Sequence, residues 1–116
     1  MEQNNDWIGV DLDGTLAQYD LWNGPTHIGP PIPAMVLRVK TWLADNKKVK
    51  IFTARVCDEQ TSEDLSLALE AIYDWCVKHI GKPLPVTCKK DWHMIELWDD
   101  RCVKVEKNTG RILSQQ

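Results

Sequence analysis

Short apolar runs, each bounded by polar or turn-forming residues, divide the chain into predicted strands. The first run, Trp7–Asp11, ends in an acidic residue and is followed by Gly14, which is typical of a buried strand. Three later runs, Val49–Phe52, Leu84–Thr87 and Met94–Trp98, predict further strands.

Two stretches carry apolar residues at helical spacing. Pro33 begins the first helix, which ends at Asp45-Asn46. Ser62 is the predicted N-cap of the second helix, which continues to His79 and is closed by Gly81. The predicted apolar faces are Met35, Val36, Val39, Trp42 and Leu43 in the first helix, and Leu65, Leu69, Ile72 and Cys76 in the second.

The order strand, helix, strand, helix, strand, strand predicts an α/β fold. We expect a Rossmann-like, mostly parallel sheet with helices on both faces. Near the C-terminus, Asn108-Thr109-Gly110 lies between Val103–Glu106 and Arg111–Leu113, which predicts a β-hairpin. The length of 116 residues predicts a single domain over residues 1–116.

Composition narrows the class of protein without identifying it. A hydrophobic share of 43% and a charged share of 27% are ordinary for a globular chain, and no apolar run is long enough to span a membrane. The polar, acidic N-terminus and the absence of any C-x-x-C pair among 4 cysteines favour a cytoplasmic protein with reduced thiols. A net charge of −3 gives no global field that attracts nucleic acid.

Residues suited to phosphate chemistry follow every predicted strand. In an open α/β sheet, ligands bind at the carboxyl ends of the strands, so these residues are expected to converge on one crevice. They are Asp11 and Asp13 after the first strand, Thr53 and Arg55 after the second, Lys89-Lys90 after the third, and Asp99-Asp100 after the fourth.

Asp11 and Asp13 lie two residues apart, so in extended chain their side chains share a face. A carboxylate that attacks a phosphate meets like-charge repulsion of ~1 kcal/mol per charge pair in water, or ~4 kcal/mol at an effective dielectric near 20. The site therefore needs cations. Lys90 and a Mg²⁺ ion held by Asp11, the carbonyl of Asp13 and Asp100 would supply them.

The chain resembles the haloacid dehalogenase (HAD) superfamily of phosphohydrolases, of a small type without a cap domain. The resemblance rests on four motifs in order over residues 7–101 or so. They are Asp11-Leu12-Asp13-Gly14-Thr15, Ile51-Phe52-Thr53-Ala54-Arg55, a lysine within Thr87-Cys88-Lys89-Lys90-Asp91, and Leu97-Trp98-Asp99-Asp100-Arg101.

This resemblance implies a role for each motif residue. Asp11 would attack phosphorus and become an aspartyl-phosphate, and Asp13 would act as general acid and then general base. Thr53 would hydrogen-bond the transferring phosphoryl group, and Lys90, rather than Lys89, would neutralise its charge. The implied metal ligands are Asp11, Asp13, Asp100 and, directly or through water, Asp99. The implied substrate-binding residues are Gly14, Thr15, Thr53, Ala54 and Arg55.

Few residues separate the motifs, so the sequence leaves no room for the cap domain that most of the superfamily carries. We expect an open site, closed at most by the loop Tyr19–Pro31 or by a neighbouring subunit of a homo-oligomer. Arg55 could bind substrate or pair with an acid. Trp22 and Tyr19 could stack on a substrate base or pack the loop, and His27 is expected to be a loop residue.

The leading functional hypothesis is a Mg²⁺-dependent phosphomonoesterase. Its substrate could be a nucleotide, a sugar phosphate or the phosphorylated end of a nucleic acid, and Asp99-Asp100-Arg101 resembles the fourth motif of polynucleotide kinase-phosphatases. A catalytically silent interaction module with the same scaffold is the alternative. A signalling receiver domain is disfavoured, because its acidic pair, phosphoacceptor, threonine and lysine follow a different order along the chain.

Overall fold

The computed structural model describes residues 4–57 and 61–113, and these form an α/β fold; the N-terminal residues 1–3 lie outside the described part. The elements are β1 (Trp7–Asp11), α1 (Pro33–Ala44), β2 (Lys48–Phe52), a 3₁₀ turn (Ala54–Val56), α2 (Ser62–His79), β3 (Val86–Thr87) and β4 (Met94–Trp98). The predicted α/β class and the order of its elements are confirmed.

The strands form one sheet in the order β3-β2-β1-β4, and every neighbouring pair is parallel. The predicted parallel sheet is therefore confirmed. β3 is shorter than the predicted Leu84–Thr87, because Leu84 packs into the core and Pro85 has no N–H to donate to a ladder. The Pro85 carbonyl still accepts a hydrogen bond from the Ile51 N–H at 2.8 Å.

Both helices pack against the same face of the sheet. Side chains of alternate residues in β1 and β2, namely Ile8 and Val10 with Val49 and Ile51, share one core with buried residues of both helices. The helical members of that core are Met35, Val36 and Val39 of α1 and Ile72, Trp75 and Cys76 of α2.

The prediction of helices on both faces is wrong for the described residues. The chain steps from β1 to β2 to β3 in one direction across the sheet, and right-handed crossovers then place both helices on one side. A helix on the other side requires a helical crossover that steps back, but residues 88–93, which connect β3 to β4, contain no helix.

The opposite face of the sheet is covered by side chains of the strands themselves. Trp7 is only 2% exposed, and the Lys50 ammonium lies 4.5 Å from the centre of its ring. The Trp7 indole N–H donates to the Asp91 carboxylate at 2.9 Å, and this bond is the largest of the effects that hold the pKa of Asp91 below its ordinary value. Asp91 thereby ties the start of β4 to the start of β1.

The helix boundaries follow the predicted pattern with small differences. α1 begins at Pro33 and is followed by Asp45, its C-cap, as predicted. The N-cap of α2 is Thr61 rather than Ser62, because the Thr61 hydroxyl accepts the Asp64 N–H at 3.1 Å. The buried face of α2 includes Ala68 and Trp75 beside the predicted Ile72 and Cys76, while Leu65 and Leu69 are half-buried.

The C-terminal segment reverses direction as predicted, but it forms a single antiparallel bridge, Val105 to Ile112, rather than two strands. Asn108 and Gly110 adopt positive φ values of 68° and 80° in the turn. Apolar side chains around the bridge remain exposed, and an isolated two-stranded hairpin without a packed face is only marginally stable.

The described residues contain no inserted cap domain, in agreement with the spacing of the motifs. Residues 12–32 form a loop, and α2 occupies most of the chain between Val56 and β3. Within residues 4–57 and 61–113, neither helix is long and apolar enough to cross a membrane.

Candidate functional site

A cleft of about 440 Å³ lies at the carboxyl ends of β1, β2 and β4. This edge of the sheet is where polar residues follow the strands, as the sequence predicts. The cleft is lined by Asp11, Asp13, Tyr19, Trp22, Phe52, Thr53, Ala54, Arg55, Asp99, Asp100 and Arg101. Residues from the first, second and fourth motifs therefore meet in one place.

Three carboxylates form the acidic side of the cleft. Oxygen atoms of Asp11, Asp99 and Asp100 all lie within 4.8 Å of one another. The Thr15 hydroxyl bridges two of them, at 3.3 Å from Asp11 Oδ2 and 3.3 Å from Asp100 Oδ1. Hard oxygen donors at this spacing fit a divalent cation such as Mg²⁺, which prefers one or two carboxylates together with water.

Gly14 lets the end of β4 approach the turn after β1. Its φ of +92° is in the left-handed region, and a Cβ atom there would lie 2.7 Å from Asp100 Oδ2. Any side chain at this position would require the Asp100 carboxylate to shift. The turn after β1 therefore depends on Gly14 both for its positive φ and for its close packing against the Asp100 carboxylate.

Burial and the neighbouring carboxylates change the acidity of Asp11. Burial is the main cause that raises its pKa to about 7, and a hydrogen bond shared with Asp100 and the charge of Asp99 add to the effect. The Thr15 hydroxyl acts in the opposite direction. The carboxylate at position 11 is thus held in surroundings that favour either a proton or a bound cation.

Asp13 lies in different surroundings from Asp11. Both of its carboxylate oxygens accept from Arg55, at 2.7 Å from Nε and 2.9 Å from Nη2. Arg55 is only 5% exposed, so this bidentate ion pair is largely shielded from water. Of the two roles that the sequence left open for Arg55, pairing with an acid is the one observed here.

Arg55 also ties down the loop between β1 and α1. Its guanidinium donates to the carbonyls of Pro25 at 3.4 Å and His27 at 2.9 Å, and lies 4.8 Å from the centre of the Trp22 ring. His27 contributes its backbone to this contact, in keeping with its expected place in the loop. The Trp75 indole N–H holds the same loop through the Gly29 carbonyl at 2.9 Å.

Thr53 and Ala54 begin the 3₁₀ turn that follows β2. Thr53 is buried, and its hydroxyl oxygen accepts the Arg55 N–H at 3.1 Å. A hydroxyl that accepts one bond keeps its own hydrogen to donate, so Thr53 can still hydrogen-bond a ligand. Ala54 lines the cleft beside it.

Lys89 and Lys90 are exposed, and the lining formed by the described residues contains no lysine. The chain turns directly after β3, where the Thr87 hydroxyl accepts the Lys89 N–H at 3.0 Å. The cations that do line the cleft are Arg55 and Arg101. Charge neutralisation by Lys90 stays a prediction that this arrangement does not support.

Sequence reasoning gave Arg101 and Phe52 no role of their own. The signal for Arg101 was its place directly after the acidic pair, where its N–H donates to Asp99 Oδ1 at 2.7 Å. The signal for Phe52 was the alternation of β2, which directs it away from the face that carries Val49 and Ile51.

The chain was compared with models of protein families, with curated proteins and with solved structures, and no match was found in any of the three comparisons.

Proposed function

We propose that this protein is a Mg²⁺-dependent phosphomonoester hydrolase that works through an aspartyl-phosphate on Asp11. The observation that carries the proposal is the contrast between two aspartates of one motif within one cleft. Asp11 lies in a cluster of carboxylates, whereas Asp13 is paired with a buried arginine. Two carboxylates in unlike surroundings suit two different roles in one reaction.

In the first step, a carboxylate oxygen of Asp11 attacks phosphorus, the bond to the leaving oxygen breaks, and Asp13 gives that oxygen a proton. In the second step, water attacks the phosphorus of the aspartyl-phosphate, Asp13 takes a proton from the water, and the bond to Asp11 breaks. Inorganic phosphate and the unchanged enzyme result. Asp13 therefore begins the cycle protonated and regains its proton from the water in the second step, and the two bonds from Arg55 leave other lone pairs of its oxygens free to hold that proton.

The resemblance to HAD phosphohydrolases supports the same roles for the same residues. Asp11, Asp99 and Asp100 would hold Mg²⁺, which when bound offsets the repulsion between the carboxylates and an anionic substrate. The implied metal role of the Asp13 carbonyl belongs to this proposal as well. Thr53 would donate to the phosphoryl group, and the arginines of the cleft would supply positive charge.

The test is hydrolysis of a generic aryl phosphate by the intact protein. We expect phosphate release with Mg²⁺, none after chelation, and a loss of about a thousandfold or more in Asp11→Asn, because the nucleophile is removed. Circular dichroism of the variant checks that it is folded. Absence of turnover by the folded wild-type protein with Mg²⁺, across a broad panel of phosphate esters, would contradict the proposal.

A catalytically silent module is the second candidate, and one observation favours it: the described lining of the cleft has no lysine. This candidate predicts that Mg²⁺ binds, as measured by calorimetry, but that no phosphate ester is hydrolysed. Turnover that depends on Asp11 excludes it.

A further inference from the structure

The cleft lining contains three aromatic residues beside its acidic and cationic ones. They are Tyr19 and Trp22 from the loop and Phe52 from the end of β2, and we call these three side chains the aromatic wall. Tyr19 is 41% exposed and Trp22 is 50% exposed, although both are large enough to contribute to a core. Their rings therefore present apolar surface to the solvent within the same cleft that contains Asp11.

Arg55 fixes the position of Trp22 in the aromatic wall. The Arg55 guanidinium contacts its ring at 4.8 Å from the centre, and Arg55 is itself fixed by Asp13 and by carbonyls of the loop. The half-exposed indole is thereby held at a defined distance from Asp13. A pre-positioned aromatic ring binds a planar ligand with little loss of side-chain entropy.

The dimensions and charges of the cleft limit what such a ligand could be. A volume of about 440 Å³ lies in the range of sites that hold one small molecule. The net charge of −3 gives no broad positive surface along which the backbone of a nucleic acid would extend. Two arginines line the cleft, and Arg55 is already paired with Asp13, so positive charge for a ligand comes mainly from Arg101, which suits one terminal phosphate.

We propose that the substrate is a nucleoside monophosphate whose base stacks on Trp22 while its phosphate reaches Asp11. This inference rests on the proposed function and names the substrate class of the same site. A sugar phosphate without a base would leave the aromatic wall uncovered. Stacking of a base on an aromatic side chain changes affinity by roughly 5- to 150-fold.

The experiment compares ligands that differ only in the base. Binding of nucleoside 5′- and 3′-monophosphates and of ribose 5-phosphate to Asp11→Asn is measured by calorimetry with Mg²⁺ present. The affinity for the best nucleotide is expected to be at least about tenfold higher than that for ribose 5-phosphate, because only the nucleotide can stack. A Trp22→Ala substitution added to Asp11→Asn is expected to remove most of that difference.

Trp92→Ala provides the matched control, because Trp92 is 94% exposed and is not part of the cleft lining. The preference for the nucleotide should persist in this variant. Equal affinities for nucleotide and ribose 5-phosphate would overturn the inference, as would a preference that survives Trp22→Ala. A tenfold preference for a phosphorylated oligonucleotide over every mononucleotide would also overturn the inference, because the aromatic wall would then bind the terminal base of a nucleic acid.

The binding readout separates this inference from the proposed hydrolysis. If nucleotides bind through Trp22 but no phosphate ester is turned over by the wild-type protein, the stacking site stands and the phosphatase proposal fails. If an aryl phosphate is hydrolysed but nucleotides bind no better than ribose 5-phosphate, the phosphatase proposal stands and the nucleotide inference fails.

Discussion

At the scale of single residues, the two aspartates of the first motif differ through partners that are distant in sequence. Asp11 meets Asp99 and Asp100 from the end of β4, and Asp13 meets Arg55 from the turn after β2. The sequence could identify both aspartates from their spacing and the glycine that follows. It could not assign their surroundings, because these depend on which strand ends become neighbours in the sheet.

The raised pKa of Asp11 predicts a cost in stability that depends on pH. The pKa in the folded, metal-free protein is about 7 and the ordinary value is 3.8, so the folded state binds the proton more tightly than the unfolded state. Stability is therefore lost as the pH rises from about 4 to about 7. Asp11→Asn removes this cost, and we expect its Tm at pH 8 without divalent cations to exceed that of the wild type by a few degrees.

Thermal unfolding at several pH values measures this difference, which should shrink towards pH 4. Asp74→Asn, on the exposed surface of α2, is the matched control and should show no such trend. Excess Mg²⁺ should raise the Tm of the wild type more than that of Asp11→Asn, because ligands stabilise the state that binds them. A variant less stable than the wild type at pH 8 would contradict the interpretation.

Arg55 is expected to act on the reaction by positioning Asp13 and the loop. In Arg55→Lys the ammonium retains the charge but cannot donate two parallel hydrogen bonds to Asp13, so kcat should fall about tenfold or more, and further in Arg55→Ala. Loss of the partner of a shielded carboxylate should also lower the free energy of unfolding by about 2 kcal/mol.

Steady-state kinetics and chemical denaturation measure the two effects. Arg111→Ala is the control, because Arg111 forms an exposed ion pair with Glu106 away from the cleft. Full activity of Arg55→Lys would contradict the prediction, because it would show that Asp13 requires only a positive charge and not the bidentate hydrogen bonds of arginine.

At the scale of elements, hydrophobic periodicity was sufficient to locate both helices and the strands. β1 and β4 have the predicted bounds, and α1 buries the predicted face. The side of the sheet on which the helices lie could not be derived in the same way. Handedness decides it only after the strand order is known, and nothing in the pattern placed β4 beside β1.

The start of α2 offers a direct test of helix capping. Thr61→Ala removes the hydroxyl that accepts the Asp64 N–H, so the free energy of unfolding should fall by about 1 kcal/mol. Ser62→Ala, one residue later at the first helical position, removes a hydroxyl that does not cap the helix and should have a smaller effect. Chemical denaturation of both variants provides the comparison, and equal effects would contradict the assignment of Thr61.

At the scale of the whole molecule, the sheet order explains which strand ends reach the site. β1 lies between β2 and β4, so residues after these three strands converge, whereas β3 is one strand further away. Residues after β3 begin roughly 10 Å from the end of β1, given the spacing of neighbouring strands. From the sequence, the residues after all four strands were expected to converge, because the sequence does not reveal the order of the strands across the sheet.

The one-sided packing of the helices leaves β1 and β4 to cover the other face. Gly9 allows side chains of β4 to pack closely against β1, because a Cβ atom there would lie 3.2 Å from Met94 Sδ and 3.3 Å from a methyl carbon of Leu97.

The aromatic wall of the cleft likewise depends on the whole molecule. The length of the loop that carries Tyr19 and Trp22 predicts a functional segment, but its attachment near Asp13 follows from Arg55.

The central claim, that Asp11 carries the phosphoryl group during turnover, is tested most directly by mass spectrometry of an acid-quenched reaction. Asp13→Asn should slow hydrolysis of the aspartyl-phosphate more than its formation when the leaving group is a good one, because such a group needs little help from an acid. We therefore predict that this variant, mixed with an aryl phosphate and Mg²⁺, accumulates a phosphoryl group on the peptide that contains Asp11. Turnover by the wild type without a phosphoryl group on Asp11 in either protein, or with one on another residue, would contradict the claim.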